Sequence, residues 1–172
     1  PQGWSQVEVV VAGWPAGVWV HGEDIAAGRE LRFGDLHSHT VLSDGTWTPE
    51  RSYAYARDVA LLDFAAVTDH VERLTDGEWE RLMTAAEEAT TSSFVTVPAY
   101  EWTSLESMHR CVYDLGAASL PLIRSGNFEW DGEVVEDAAE FHALLPDGVL
   151  AIPHHPGSRV GPAHGWADYQ TD

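Results

Sequence analysis

The sequence predicts a domain of the α/β class, in which short buried strands alternate with helices. Four apolar extended runs lack the polar alternation of half-exposed strands, and segments with helical spacing lie between them. Each run leads into side chains that bind metals, namely His, Asp or Glu. Because active sites of parallel α/β folds form at the carboxyl ends of the strands, we expect these side chains to converge at one edge of the fold.

The first run is a short apolar lead-in at Phe33, followed by Asp-Leu-His-Ser-His-Thr at residues 35–40 and by Asp44. Side chains alternate along a strand, so His37 and His39 project to the same side and can both reach one ion at about 2 Å. Imidazole suits zinc, iron and manganese-class sites. The alternative for an isolated His-X-His pair is that one imidazole caps a loop and the other is solvated.

Three later runs repeat the pattern, which favours the metal interpretation. They lead into Asp69 and His70 after residues 61–68, Glu101 after residues 94–100, and His154 and His155 after residues 148–153. His109 differs in direction, because it precedes the apolar run 111–113. We expect it in the loop before that strand.

Three helices are predicted between the runs. The first helix is predicted over residues 49–61, with Thr48 as its N-cap and Pro49 as its first helical residue. The second helix is predicted over residues 76–89, and Thr75 and Glu78 form a capping box at its start. The third helix covers residues 136–145 and is stopped by the Pro-Asp-Gly sequence that follows it.

The first part of the chain differs from the rest. Residues 7–12 and 17–21 predict two short strands around a Gly-Trp-Pro turn, and no metal-type cluster accompanies them. Residues 1–31 are therefore predicted to be an N-terminal β segment, either the end of a preceding domain or a hairpin that flanks the next one. Residues 32–172 are predicted to be a single metal-binding domain.

Composition limits the partners. The formal charge of −19, from 9 basic and 28 acidic residues, disfavours contact with nucleic-acid phosphates. The partner predicted for the candidate metal site is a small-molecule substrate. No apolar run is long enough for a bilayer span, and the first residues do not resemble a signal peptide, so cytoplasmic and secreted locations both stay open. Cys111 is the only cysteine, and we expect it to pack in the core.

The order of these motifs resembles that of the PHP (polymerase and histidinol phosphatase) metallohydrolases. That family opens with His-X-His-Thr and then Ser-Asp-Gly, which match residues 37–40 and 43–45. Its second motif, Thr-Asp-His after an apolar strand, matches residues 68–70. The sequences Tyr100-Glu101-Trp102 and Ile152-Pro153-His154-His155 are most similar to those of a bacterial branch of the family. They are similar, more distantly, to those of the carbaryl-hydrolase-like branch. The resemblance covers roughly residues 32 to 157.

The resemblance implies a distorted β/α barrel, seven-stranded in the family, around two or three divalent ions such as Zn, Mn or Fe. It implies that Glu101 bridges the first and second ions. The other ligands it implies are His37 and His39 for the first ion, His109 with His154 or His155 for the second, and Asp44 with His70 for the third. Asp35 and Asp69 adjoin ligand histidines, so we expect them to orient imidazoles; Asp35 could instead cap a turn after Gly34.

The chain also departs from the family. The last motif, Asp-X-His, has no counterpart before Asp172, and His164 and Asp168 have the wrong order and spacing. A closed barrel of this type needs about 200 residues or more. We therefore expect a C-terminally truncated chain in which the first and third positions each lack one ligand.

The chemistry expected of such a site is hydrolysis. Two ions bridged by Glu101 can bind a water between them and lower its pKa toward neutrality, which gives a hydroxide nucleophile. Phosphoesters are the first choice by resemblance, with carbamates, esters and amides as the alternative, and a catalytically silent metal-binding or structural domain as the alternative of another class. Arg110 and Arg159 are candidate substrate ligands. Whichever of His154 and His155 does not bind metal could protonate the leaving group, or could only orient a ligand.

Overall fold

The computed structural model describes residues 4–11, 14–21, 32–104, 107–116, 120–125 and 133–154. The chain divides into two compact units, Pro1–Arg32 and Phe33–Asp172. Strands and helices occur together in the described residues, so the predicted α/β class is confirmed. The assignment of the two stretches as a β segment and a hydrolase domain stays a prediction. No helix in the described parts is both long and apolar enough to cross a membrane.

The first unit contains a β-hairpin. β1 (Trp4–Val11) pairs antiparallel with β2 (Trp14–His21), with Trp4 opposite His21 and Val11 opposite Trp14. Both strands were predicted, and each begins three residues earlier than the sequence pattern suggests. Residue 12, at the end of the first predicted strand, lies outside the described residues.

The second unit begins with a small parallel sheet. β3 (Gly34–Asp35), β4 (Phe64–Ala65) and β5 (Val95–Thr96) lie side by side in that order. The crossover segments contain helices α1 (Pro49–Asp58) and α2 (Asp76–Ala89). Buried side chains of both helices pack with buried residues of the sheet segments, including Tyr53, Leu82, Ala65, Val67 and Phe94. This half of the unit has the predicted parallel βα arrangement.

The other three described strands of the second unit form an antiparallel sheet, which corrects the prediction of parallel units throughout. β6 (Ala99–Ser104) pairs with β7 (Met108–Asp114), and β7 pairs with β8 (Val149–Pro153). The connection from β6 to β7 is too short for a parallel crossover, so the two strands form a hairpin. A parallel bridge between His70 and Glu101 connects the segment after β4 to β6. The closed barrel stays a prediction, since the described strands form separate sheets.

The predicted run at residues 94–100 is two strands instead of one. It breaks at Pro98, whose nitrogen has no proton for a sheet hydrogen bond. Glu101 consequently lies inside β6, and does not follow the end of a strand. Helix α3 (Ala138–Leu144) lies beyond this sheet, and its Phe141 ring stacks on Trp102 with centroids 4.2 Å apart.

The helix caps agree closely with the sequence. Thr48 caps α1 with Pro49 as its first residue, and Thr75 and Glu78 form the capping box of α2. Helix α1 ends at Asp58, three residues before the predicted end at residue 61. Leu61 has a φ of 53°, which is incompatible with a right-handed helix. Helix α3 begins two residues later than predicted because Asp137 is its N-cap.

One ion pair links the two helices of the parallel half. Arg81 donates to both carboxylate oxygens of Glu50 at 2.9 and 3.1 Å, and these hydrogen bonds lower the pKa of Glu50 to about 2. A lowered pKa stabilises the fold above the ordinary value near 4.5, and the contribution is lost as pH falls toward 2. Both side chains are nearly half exposed, so we expect Glu50→Gln to cost less than about 1 kcal/mol at pH 7. Urea unfolding of both proteins at pH 7 and pH 3 should show a smaller difference at the lower pH.

Candidate metal centre

Metal-type side chains from both sheets converge at one edge of the second unit. His37 and His39 follow β3, His70 follows β4, and Glu101 lies in β6. β7 runs in the opposite direction to β6 and β8, so its amino end reaches the edge where its neighbours have their carboxyl ends. His109 therefore comes before its apolar run and still faces this edge. It is the second residue of β7, so its predicted loop position was wrong.

Glu101 is at the centre of the arrangement and is fully buried. Its Oε1 lies 2.6 Å from His109 Nδ1, and its Oε2 lies 3.1 Å from His39 Nε2 and 3.7 Å from His37 Nε2. Burial alone would raise the pKa of Glu101, but the hydrogen bonds to His109 and His39 and the charge of His70 outweigh it. The pKa of Glu101 is held well below its ordinary value, so the group is a carboxylate at neutral pH.

The first cluster of donor atoms consists of His37, His39 and Glu101. The two Nε2 atoms of the histidines lie 3.1 Å apart, and each faces Glu101 Oε2. Ligand atoms that each lie about 2 Å from one zinc-sized ion are separated by about 3 to 4 Å. Glu101 Oε2 is buried, and no described hydroxyl or backbone N–H donates a hydrogen bond to it. A buried carboxylate oxygen facing two imidazole nitrogens fits a divalent cation.

The second cluster consists of His39, Asp44 and His70. Asp44 Oδ1 lies 3.2 Å from His39 Nδ1, and Asp44 Oδ2 lies 3.6 Å from His70 Nε2. Burial lowers the pKa of His39, but the hydrogen bond and charge of Glu101, with the charge of Asp44, raise it overall. Burial also lowers the pKa of His70, and there the lowering prevails. The structure thus brings Asp44 and His70 together, as the resemblance implies.

The loop that carries Asp44 is held in place by close backbone contacts. Gly45 donates its N–H to the Thr40 carbonyl at 2.8 Å. A Cβ atom at Gly45 would lie 2.0 Å from the carbonyl oxygen of His39, so a side chain there would displace the loop. This contact gives a structural reason for the glycine of the Ser-Asp-Gly motif.

Two further clusters share members with these. One consists of His70, Glu101 and His109, and the other of His37, Cys111 and His154. The His154 ring stacks on His37 with centroids 3.8 Å apart. In the described part of the chain, His154 is thus grouped with His37 and Cys111, whereas the resemblance places His154 or His155 with His109 and Glu101. His155 lies outside the described residues.

Asp35 and Asp69 support the backbone, and their described hydrogen bonds do not reach an imidazole. Asp35 Oδ1 accepts the N–H of His37 at 3.0 Å, which is the turn-capping alternative. Asp69 is fully buried and accepts the N–H and hydroxyl of Thr40 at 2.7 and 2.6 Å, together with the hydroxyl of Ser43. Asp69 thereby fixes the loop between His39 and Asp44.

The candidate substrate ligands have a different placement. Arg110 is buried on the face of β7 opposite to His109 and Cys111, and its guanidinium lies 5.4 Å from the centroid of the Trp102 ring. The structure does not bring Arg110 to the histidine edge. Arg159 lies outside the described residues.

Sequence reasoning missed several polar residues of the site. Arg73, three residues after His70, donates to the Ser43 carbonyl at 3.2 Å beside Asp44. Its position three residues after His70 could have identified it from the sequence as a residue near the site. Glu72 Oε1 lies 3.7 Å from His70 Nδ1, and burial raises the pKa of Glu72. Three further residues contact imidazole nitrogens, namely Thr68, Thr103 and Cys111. Thr68 was noted in the sequence only as part of a motif and Cys111 only as a core residue, and Thr103 was not singled out.

No protein-family profile and no curated protein matches the chain. Two solved structures show partial likeness. One is a proposed metal-dependent phosphoesterase from Bifidobacterium adolescentis, 24% identical over 50% of this chain and 29% of its own, with a TM-score of 0.34. The other is a two-domain protein from Bacteroides vulgatus with a predicted PHP-like metal-dependent phosphoesterase, 21% identical over 51% of this chain and 27% of its own, with a TM-score of 0.37. The chain spans less than a third of either, and these alignments do not establish a common fold.

Proposed function

We propose that this chain belongs to a metal-dependent hydrolase of the PHP type that acts on phosphoesters. The observation that carries the proposal is the environment of Glu101, a buried carboxylate with imidazoles at both of its oxygens. Isolated buried charges are costly, so such a group needs cationic partners. Divalent cations provide that compensation and explain why four histidines surround the carboxylate.

The residues that would hold ions follow from the clusters. His37, His39 and Glu101 would hold the first ion, Glu101 and His109 would contribute to the second, and Asp44 and His70 to the third. The donor set of imidazoles and carboxylates suits zinc, iron or manganese. When bound, such ions supply Lewis acidity that activates water and polarises the oxygen of a phosphoryl or carbonyl group.

The chain's own residues have distinct tasks in this proposal. Glu101 would contribute one oxygen to the first ion and the other to the second, because its two oxygens face different imidazoles. His154, partly buried above His37, is the described candidate for protonating the leaving group. Arg73, exposed at the rim beside Asp44, is placed to attract the charge of a phosphate.

Arg73 offers a test between phosphoesters and the alternative of carbamates, esters and amides. Loss of a charge-assisted hydrogen bond to phosphate costs about 1.5 to 3 kcal/mol. We therefore expect Arg73→Ala to raise KM for p-nitrophenyl phosphate about tenfold or more and to leave KM for 1-naphthyl methylcarbamate nearly unchanged.

The matched control is Arg57→Ala. This variant removes the same charge from the last turn of α1, which lies at the opposite end of the parallel strands. Equal increases in KM for p-nitrophenyl phosphate in Arg57→Ala and Arg73→Ala would indicate a general electrostatic effect of lost positive charge. An unchanged KM in Arg73→Ala would exclude Arg73 from the proposed substrate site.

Metal content and hydrolysis together test the proposal. Mass spectrometry of the purified chain should give at least one zinc, iron or manganese ion per chain. A panel of p-nitrophenyl phosphate, bis-p-nitrophenyl phosphate and 1-naphthyl methylcarbamate should show hydrolysis that is lost with chelator. Bound metal without hydrolysis of any substrate would favour the catalytically silent alternative. Absence of bound metal after incubation with each ion would refute the site assignment.

A further inference from the structure

Two buried threonine hydroxyls contact imidazoles of the candidate centre. Thr68 Oγ1 lies 3.0 Å from His37 Nδ1, and Thr103 Oγ1 lies 2.7 Å from His70 Nδ1. Both threonines are almost completely buried, so water does not compete for these contacts. The two pairs come from different segments of the chain, and in both a threonine Oγ1 faces a histidine Nδ1.

The direction of each hydrogen bond follows from the other partner of each hydroxyl. The Ser38 carbonyl, 3.4 Å from Thr68 Oγ1, is an acceptor to which Thr68 can donate its only hydroxyl proton. The acceptors near the Thr103 hydroxyl are the Glu101 carbonyl at 3.4 Å and the Glu72 carboxyl. A hydroxyl that has donated its proton elsewhere can only accept from an imidazole. With the hydroxyl protons donated to these acceptors, Nδ1 of each histidine carries the ring proton.

We infer that Thr68 and Thr103 are positioning residues that hold His37 and His70 as Nδ1–H tautomers, so that each ring presents Nε2 to an ion. The inference deepens the proposed function and rests on it, because it concerns the ligands of the proposed ions. A ligand histidine whose second nitrogen is fixed by a hydrogen bond has its ring orientation set before the ion arrives.

The tautomers select among the four overlapping clusters. His37 with Nδ1 bound to Thr68 can offer Nε2 to the cluster with His39 and Glu101, but has no nitrogen left for Cys111 and His154. His70 Nε2 faces Asp44, whereas the nitrogen of His70 nearest to Glu101 is Nδ1, 3.9 Å away. His70 therefore belongs with Asp44, and the cluster of Glu101 and His109 must take its third ligand from elsewhere.

Cys111 is the competitor that could reverse this assignment at His37. Its Sγ also lies 3.0 Å from His37 Nδ1, and a thiol that donated there would produce the opposite tautomer. Oxygen is a stronger acceptor than sulfur, so the Nδ1 proton is expected to go to Thr68.

The test is nitrogen-15 NMR of histidine side chains in the metal-free full chain, which distinguishes the two neutral tautomers. Signals are assigned with His37→Gln and His70→Gln. We expect Nδ1–H for both residues in the unmodified chain. Thr68→Val should change the tautomer of His37 alone, and Thr103→Val should change the tautomer of His70 alone. Replacing either threonine by serine should leave both tautomers unchanged, because serine keeps the hydroxyl.

Controls separate this role from general packing. Thr96→Val removes another buried hydroxyl, which bonds Thr90 and the Ala86 carbonyl, and should change neither tautomer. Cys111→Ala should also leave His37 as Nδ1–H. An Nε2–H tautomer of His37 or His70 in the unmodified chain would overturn the inference for that residue. A tautomer unchanged by the valine substitution would do the same, as would one reversed by Cys111→Ala.

Metal binding gives a second measurement. Zinc affinity should fall about 10- to 100-fold in each valine variant and stay near the original in the serine variants. Cobalt bound to the chain should show no thiolate charge-transfer absorption, and a band that Cys111→Ser abolishes would overturn the assignment of His37. If the tautomers and affinities are as expected but no substrate is hydrolysed, the proposed activity fails and the positioning role stands.

Discussion

Glu101→Gln is expected to abolish most hydrolysis and to weaken zinc binding by at least about 100-fold, since even losing a group that only supports a ligand costs about 10- to 100-fold. Gln keeps the volume of Glu but has no charge and only one oxygen to offer. Glu101 is the one described carboxylate shared between the cluster of His37 with His39 and the cluster that contains His109, so its loss affects both. Zinc titration and steady-state kinetics with the preferred substrate measure the two effects.

Asp44→Asn is the matched control, because it removes the same charge from a group in a single cluster. It should lower the number of bound ions by one at most and leave the sites of Glu101 filled. Thermal unfolding of both variants with chelator present separates site effects from misfolding. Equal, small losses in the two variants would contradict the bridging role of Glu101.

The convergence of the site could be predicted because local sequence determines it. A strand that ends in His or Asp places those groups at its carboxyl end, and the runs before residues 37, 70 and 154 follow that rule. The caps at Thr48 and Thr75 were equally local, since each depends on residues at most three positions away. Such features need no knowledge of which strands pair.

Features that depend on pairing could not be predicted in this way. Apolar composition alone does not give the direction of a strand, so the reversal of β7 was missed and with it the position of His109 inside the strand. The short connection between β6 and β7 was the available signal. The prediction that Arg110 contacts substrate was made without this information. The strand register pairs Arg110 with Trp102, and this pairing determines which face of the sheet carries its side chain.

Hydroxyl partners such as Thr68 and Thr103 were missed for a different reason. Threonine is common in strands for its shape, so its sequence position carries no sign of a hydrogen bond to a histidine 31 or 33 residues away. Only the three-dimensional contacts identify these residues. The acidic residues adjacent to histidines were noticed in sequence, but their partners proved to be backbone and hydroxyl groups.

Asp69 is the strongest described link between the first two motifs. It is fully buried, and its carboxylate accepts from the Thr40 N–H, the Thr40 hydroxyl and the Ser43 hydroxyl. Ser43 Oγ in turn lies 3.3 Å from His39 Nδ1. Asp69 therefore contributes, together with the backbone contacts of Gly45 and the hydrogen bond from Arg73, to the position of the loop that carries His39 and Asp44.

Asp69→Ala is accordingly expected to lower the free energy of unfolding by about 3 to 5 kcal/mol, because it leaves one buried N–H and two hydroxyls without their acceptor. Asp69→Asn keeps one oxygen acceptor and should lose about half as much. Asp35→Ala is the control, since Asp35 also adjoins a histidine but is exposed and accepts one backbone hydrogen bond, so its loss should stay below about 1 kcal/mol. Urea unfolding with chelator present measures all three without a contribution from bound metal. If Asp69→Ala cost no more than Asp35→Ala, the loop would be held by contacts other than this carboxylate.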